Sequence, residues 1–259
     1  METNRPDQPV ALVTGANKGI GKAIAQGLAR TGMTVLLGSR DQARGAAAAA
    51  ELTADARGAT ADDDSRGAAH RTAGDVAVVP LQLDVTDQHS VDAAAAFVAE
   101  RFGRLDVLVN NAGTAVRTSA ADATADDFRV VYETNVFGVV AVTHALLPLL
   151  LAARAPRIVN VSSLRGSLGD EGAFVGRPSM PYSSSKTALN AITVHYARDL
   201  ASTAIKVNAA APGHVATDFN GFRGVRTPEQ GARIAIRLAT LPDDGPTGGF
   251  FDDDGPVTW

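Results

Sequence analysis

A glycine-rich turn between an apolar strand and a helix restricts this chain more than any other stretch. The segment is TGANKGIG, Thr14 to Gly21, set between VALV (Val10 to Val13) and the helical run KAIAQGLAR. Gly15, Gly19 and Gly21 let the backbone turn tightly and approach a pyrophosphate, whose charge then rests on the N-terminus of the following helix. The phosphate loop of ATPases, GxxxxGK followed by Ser or Thr, fits poorly. Five residues separate Gly15 from Gly21, and Ala23 follows Lys22.

The rest of the chain repeats the alternation that this turn begins. Short β-branched or leucine-rich runs (Thr34 to Leu37, Val76 to Leu83, Val107 to Val109, Arg157 to Val161, Ile205 to Val207) are separated by alanine-rich segments of helical length. Strand then helix, repeated, predicts an α/β fold with a parallel sheet and helices on both faces. With 259 residues, 45% of them hydrophobic, one domain over 1–259 has enough apolar material for a single core. Residues 55–74 break the rhythm: small and charged side chains offer little to bury, which reads as a solvated insertion. The apolar stretch Val136 to Ala153 carries Thr143, His144 and Pro148, and reads as a buried or interface helix rather than a membrane span.

Charge and composition exclude several functions. Lys plus Arg number 24 against 28 Asp plus Glu, so no basic field favours nucleic acid. Without cysteine there are no disulfides, thiolate metal sites or cysteine nucleophiles, and the five histidines have no metal-ligand spacing, so no metal is expected. The polar N-terminus METNRPDQPV lacks the apolar core of a signal peptide, which points to the cytoplasm.

Polar residues close several strands: Asp84 after LQL, Asn110 and Asn111 with Ala112 and Gly113 after LDVLV, Ser162 and Ser163 after RIVNV. Carboxyl ends of parallel strands are where open α/β sheets bind ligands. In PYSSSKTALN, Tyr182 and Lys186 stand four apart, on one face of a helix that Pro181 can start. An ammonium near a phenol favours the phenolate, so the pair is a potential acid/base device. Ser183 and Lys186 also form an SxxK pair, the nucleophile arrangement of some serine acyl hydrolases, although KTA stands where KTG is wanted.

TGxxxGxG, NNAG, Asn135, VNVSS, YxxxK and VNAAAPGHVATD occur in the order and rough spacing of the classical short-chain dehydrogenase/reductase family, which the chain resembles over nearly its whole length. NKGIG, SRDQARG, TPEQGA and the ending LPDDGPTGGFF to Trp259 are most similar to the NADPH-dependent carbonyl reductase branch. The resemblance implies a single-domain, Rossmann-type, doubly wound parallel sheet that reduces a small-molecule carbonyl, or oxidises an alcohol, with a nicotinamide cofactor. A non-catalytic NADP(H) sensor is the alternative on the same fold.

Carried over by position, the resemblance makes Tyr182 the proton donor to the carbonyl oxygen and Ser163 the group that holds that oxygen. Lys186 favours the phenolate and grips the nicotinamide ribose, and Asn135 holds a water that links Lys186 to solvent. The implied cofactor contacts are Gly15, Asn17, Lys18, Gly19, Ile20, Gly21, Arg40, Arg44, Asp84, Val85, Asn111, Ala112, Gly113, Tyr182, Lys186, Pro212, Gly213, Val215 and Thr217. The second strand, TVLLG, ends at Ser39 and Arg40 with no carboxylate to repel a 2′-phosphate. Lys18, Arg40 and Arg44 are placed to receive one, with Asp41 as a helix cap, so the expected cofactor is NADPH/NADP+. Loops 164–180 and 214–227 are expected to cover the substrate. They offer Phe174, Met180, Phe219 and Phe222 as walls, with Arg165, Arg177, Arg223 and Arg226 either solvated or facing an anionic substrate. The stretch from Ser163 to Tyr182 resembles, in shortened form, an insertion that keeps some carbonyl reductases monomeric, which leaves monomer and homo-oligomer both open.

Overall fold

The structure, a computed structural model, describes residues 8–63, 78–177 and 179–259. Seven strands, β1 Val10–Val13, β2 Thr34–Ser39, β3 Val78–Gln82, β4 Val107–Asn110, β5 Arg157–Val161, β6 Lys206–Ala210 and β7 Phe250–Phe251, form one sheet in the order β3-β2-β1-β4-β5-β6-β7. Every neighbouring pair is parallel, which requires a crossover between successive strands. The helices are α1 Gly19–Arg30, α2 Gln42–Asp63, α3 Gln88–Phe102, α4 Ala125–Tyr132, α5 Gly138–Leu151, α6 Met180–Asp199 and α7 Pro228–Ala239.

Alternation along each strand sorts the core into two layers. Ala11 and Val13 of β1 join Ile24 and Leu28 of α1, Leu52 of α2 and Ile234 and Leu238 of α7 on one face. Val10 and Leu12 join Val98 of α3, Leu146 and Leu150 of α5 and Ala197 of α6 on the other. Both faces are covered, so the central strands β1 and β4 are buried throughout and largely apolar, as the sequence predicts. Pro80 lies in β3, where an edge position tolerates its missing donor.

The chain builds outward from β1 through β2 to β3, then returns to place β4 on the other side of β1. The loops after β1 and β4 therefore diverge and leave a crevice at the carboxyl end of the sheet.

Two expectations are amended. The segment from 55 does not leave the helix at once: α2 runs on to Asp63, as its alanine-rich sequence favours, while 64–77 lie outside the described residues. The apolar stretch after 136 is helical and partly buried, as expected, but it continues the helix before it. Ala125–Leu151 is continuous, long and apolar enough to cross a membrane by length and composition. Its apolarity has a packing explanation, since Val142, Leu146 and Leu150 sit in the core under the sheet. Midway, at Glu133–Phe137, it widens into a π-helical turn.

Candidate active site

The glycine turn is shaped by close packing against the end of β4. Gly15 and Gly19 have φ of +61° and +56°, values that a side chain resists. A Cβ on Gly21 would lie 2.4 Å from Asn111 Nδ2 and 2.5 Å from Gly15 O, so only glycine allows the turn to close on itself. Asn111 donates to the carbonyls of Thr14 (2.9 Å) and Gly15 (3.1 Å), and Thr14 Oγ1 accepts from the backbone N–H groups of Asn111 and Ala112. This lattice holds the turn beside the start of α1. That helix begins with no side-chain cap and no acidic residue in its first turn, which leaves its N-terminal N–H groups available to an anion. Asn17 is half-buried on the turn, and Ile20 packs against the core below.

A polar cluster meets this turn across Gly113, where an added Cβ would lie 3.4 Å from Asn135 Oδ1 and 3.8 Å from Lys186 Nζ. Asn135 is fully buried in the π-helical turn; it accepts from Thr114 N (2.8 Å) and donates to Thr114 O and Ser185 Oγ (both 2.9 Å). Pro181 starts α6, which puts Tyr182 in its first turn and Lys186 one turn on, with Nζ 5.8 Å from the phenol ring centre. Lys186 is buried and donates to Val161 O at 2.8 Å; desolvation pulls its pKa down to about 8.

Tyr182 does not show the lowered pKa that its neighbour Lys186 leads one to expect. Desolvation raises it above 10, partly offset by the nearby Ser163 hydroxyl and by the charges of Arg165 and Arg117. The ammonium points at the end of β5 instead of at the phenol oxygen. For the same reason it gives Ser183 no base, so the SxxK arrangement has no geometric support.

The remaining predicted residues surround this cluster. Asp84, after β3, accepts from Thr86 N and Oγ1 through Oδ1, and Val85 packs against Gly138, where a Cβ would meet it at 2.8 Å. Pro212 is buried, and Gly213 turns the chain with φ of +78° beside Arg226. Val215 is buried, and Thr217 Cγ2 would lie 3.2 Å from a Cβ on Gly19, so loop 214–227 folds over the glycine turn.

The three cations, Lys18 on the glycine turn and Arg40 and Arg44 after β2, are not equivalent. Lys18 Nζ is 2.5 Å from Asp218 Oδ2, and this bond holds the Asp218 carboxyl below its usual pKa. Arg44 pairs with Asp41, which also caps the start of α2 by accepting from Arg44 N. Arg40 is exposed, with no ion-pair partner among the described residues. The expected trio is thus one cation without a counter-ion and two that carry one.

The sequence profile of the short chain dehydrogenase family matches residues 9–76 and 60–225. The protein is a member of the short-chain dehydrogenase/reductase family. A short-chain dehydrogenase from Penicillium roqueforti, anuI, is 39% identical over 90% of this chain and 89% of its own. Carbonyl reductase (NADPH) 1 from Bos taurus is 33% identical over 96% and 98%. The solved structure of NADPH-bound carbonyl reductase from chicken fatty liver superposes with a TM-score of 0.78 at 28% identity, covering 97% of this chain and 99% of its own. This short-chain dehydrogenase is therefore an oxidoreductase, with a nicotinamide dinucleotide as its cofactor class.

Three residues of the short-chain dehydrogenase site were not singled out from sequence. Thr14 organises the loop after β4, Ser185 braces Asn135, and Arg117 reaches the site from the loop between β4 and α4. Only Arg117 had a usable signal: it follows the carboxyl end of a central strand, where ligand-facing loops belong.

Proposed function

We propose that the protein is an NADPH-dependent carbonyl reductase acting on a ketone, aldehyde or quinone, with Tyr182 as proton donor. The observation that carries this reading is the grouping of Ser163, Tyr182, Lys186 and Asn135 at the crevice between β1 and β4, next to an uncapped helix N-terminus. The cradle fits a dinucleotide: Gly15 and Gly21 let the turn close against Ala112 and Asn111, so that the uncapped N–H groups at the start of α1 would be open to a pyrophosphate. The nicotinamide, when bound, supplies the hydride.

This chain's own residues do the rest. Ser163 lies close enough to the Tyr182 phenol to lower its pKa, so both hydroxyls can converge on one carbonyl oxygen. Tyr182 keeps its proton at neutral pH, as a general acid must, and releases it as negative charge develops on that oxygen. Lys186 lies near the phenol ring and close to Gly113, where it would hold a hydroxyl of the bound cofactor's ribose and favour the phenolate after transfer. Asn135 has its amide committed to Thr114 and Ser185, so it fixes the floor beneath Lys186, and a proton-supplying water would use its remaining acceptor capacity. Screening ketones, aldehydes and quinones for NADPH consumption tests the proposal.

Cofactor choice rests on Arg40. It stands unpaired at the end of β2, no acid occupies that strand end, and a guanidinium meets a phosphate with a planar fork of donors. Lys18 contributes only by exchanging Asp218 for the 2′-phosphate. Arg40→Ala is expected to raise the KM for NADPH about ten- to a hundredfold, the effect of losing one charged hydrogen bond, and to leave that for NADH almost unchanged. A wild-type enzyme that uses NADH as well as NADPH overturns the assignment.

A further inference from the structure

Arg117 and Arg165 both lie close enough to the Tyr182 phenol for their charges to act on it, and neither has an acidic partner among the described residues. Arg117 lies over the Phe219 ring, its Cζ 5.9 Å from the centroid, and donates to Phe219 O at 2.8 Å. Phe219 in turn packs against Tyr182, with ring centres 5.6 Å apart. From the opposite side, Arg165 follows the Ser163 turn, where its own N–H donates to Ser163 Oγ at 3.3 Å. Its guanidinium is held by the carbonyls of Val175 (2.8 Å) and Arg177 (2.9 Å).

Among the described residues, every hydrogen bond these two side chains make goes to a neutral carbonyl, so neither charge is cancelled there. The nearby acids are otherwise engaged: Asp218 with Lys18, Asp253 with Arg226, and Asp170 with the N–H of Gly172. Glu171 is exposed and forms no ion pair among the described residues. Both guanidinium groups keep N–H donors free, since each has five and the contacts above use one or two.

We infer that the substrate is a carbonyl compound bearing an anionic group, a carboxylate or a phosphate, which Arg117 and Arg165 receive while its carbonyl rests on Ser163 and Tyr182. This rests on the carbonyl reductase reading and narrows it. Fixing both arginines through carbonyls orders them before the substrate arrives, so little side-chain entropy remains to be lost on binding. Phe219, packed between Arg117 and Tyr182, supplies an apolar wall, which suits a substrate with a carbon spacer between its carbonyl and its charge. If the arginines served only to strap the loops, an acid would gain nothing over its neutral ester.

The experiment compares a keto acid with its methyl ester, using NADPH and reading kcat/KM. It also compares an arylalkyl carboxylate with its primary amide by calorimetry on the enzyme–NADP+ complex. The acid is expected to exceed the ester, and the carboxylate to bind more tightly than the amide, by about ten- to a hundredfold. Raising the salt concentration should shrink both ratios. In Arg165→Gln or Arg117→Gln each ratio should fall toward one, with Arg165→Lys intermediate; the ratio is read because losing a loop anchor lowers both rates. Equal rates and equal binding overturn the inference and leave carbonyl reduction standing. If neither the acid nor the ester consumes NADPH, and no ketone, aldehyde or quinone does, the reductase reading fails, and the binding ratio still decides whether the two arginines form an anion seat.

Discussion

Tyr182→Phe is expected to lower turnover by at least about 10²-fold while leaving NADPH affinity nearly intact. The substitution removes one oxygen and keeps the ring, so the packing against Phe219 is preserved. What is lost is the hydroxyl beside Ser163 that hands a proton to the reacting oxygen, and general acid catalysis contributes on that scale, about 2.7 kcal/mol or more of barrier. Ser163→Ala should behave similarly on turnover, because the Ser163 hydroxyl both holds the oxygen and pulls the Tyr182 pKa down. Steady-state kinetics, with cofactor binding followed separately by titration, checks the split. Retained turnover in Tyr182→Phe would remove this residue from the mechanism.

Lys186→Met should abolish most activity and yet not destabilise the protein. At neutral pH the buried ammonium is a burden: lowering a lysine from 10.5 to about 8 costs about 3 kcal/mol of folding stability. Methionine fills a similar volume without charge, and the compensating loss is the hydrogen bond to Val161 O, about 1–3 kcal/mol. The expected outcome is a midpoint in denaturant equal to or above the wild type, with turnover down at least about 10²-fold and a raised KM for NADPH. The difference depends on pH in a defined direction. Between about 8 and 10.5 the unfolded chain holds a proton on this lysine that the folded chain has released. Wild-type stability therefore rises with pH across that window relative to Lys186→Met, and the gap between them narrows. Below pH 8 both states are protonated and the gap is constant. Above 10 the raised Tyr182 pKa acts with the opposite sign, because the folded state then retains the proton. A Lys186→Met protein that is much less stable at pH 7 would show that the lysine has a structural role instead.

Much of this arrangement is legible in the order of residues, for a physical reason. The glycine turn, the strand-end polar residues and the Tyr182–Lys186 pair each depend on local geometry, a tight turn or one helical repeat, and local geometry is written in short spacings. Strand order and the crevice between β1 and β4 follow from repeated crossovers and the family pattern. What spacing did not reveal are contacts across long separations. The pairing of Lys18 with Asp218 joins residues on the glycine turn and the loop after β6, and it changes a presumed phosphate ligand into an occupied cation. Likewise the Lys186 ammonium has two candidate partners at similar reach, the phenol and the carbonyl of Val161, and only the packing of α6 on β5 selects the carbonyl. The π-helical turn at Asn135 is similarly silent, since ETNVF has no residue that forbids an ordinary helix.

The central claim, that these residues assemble an NADPH-dependent carbonyl reductase, is tested most directly by following the label from NADPH deuterated at the transferring carbon of its nicotinamide. With a reactive ketone or keto acid and wild-type enzyme, the account predicts one equivalent of NADP+ per alcohol formed. It also predicts deuterium on the former carbonyl carbon, and loss of both products in Tyr182→Phe. NADPH left unoxidised across ketones, aldehydes and quinones, or an alcohol formed without the label, would contradict it.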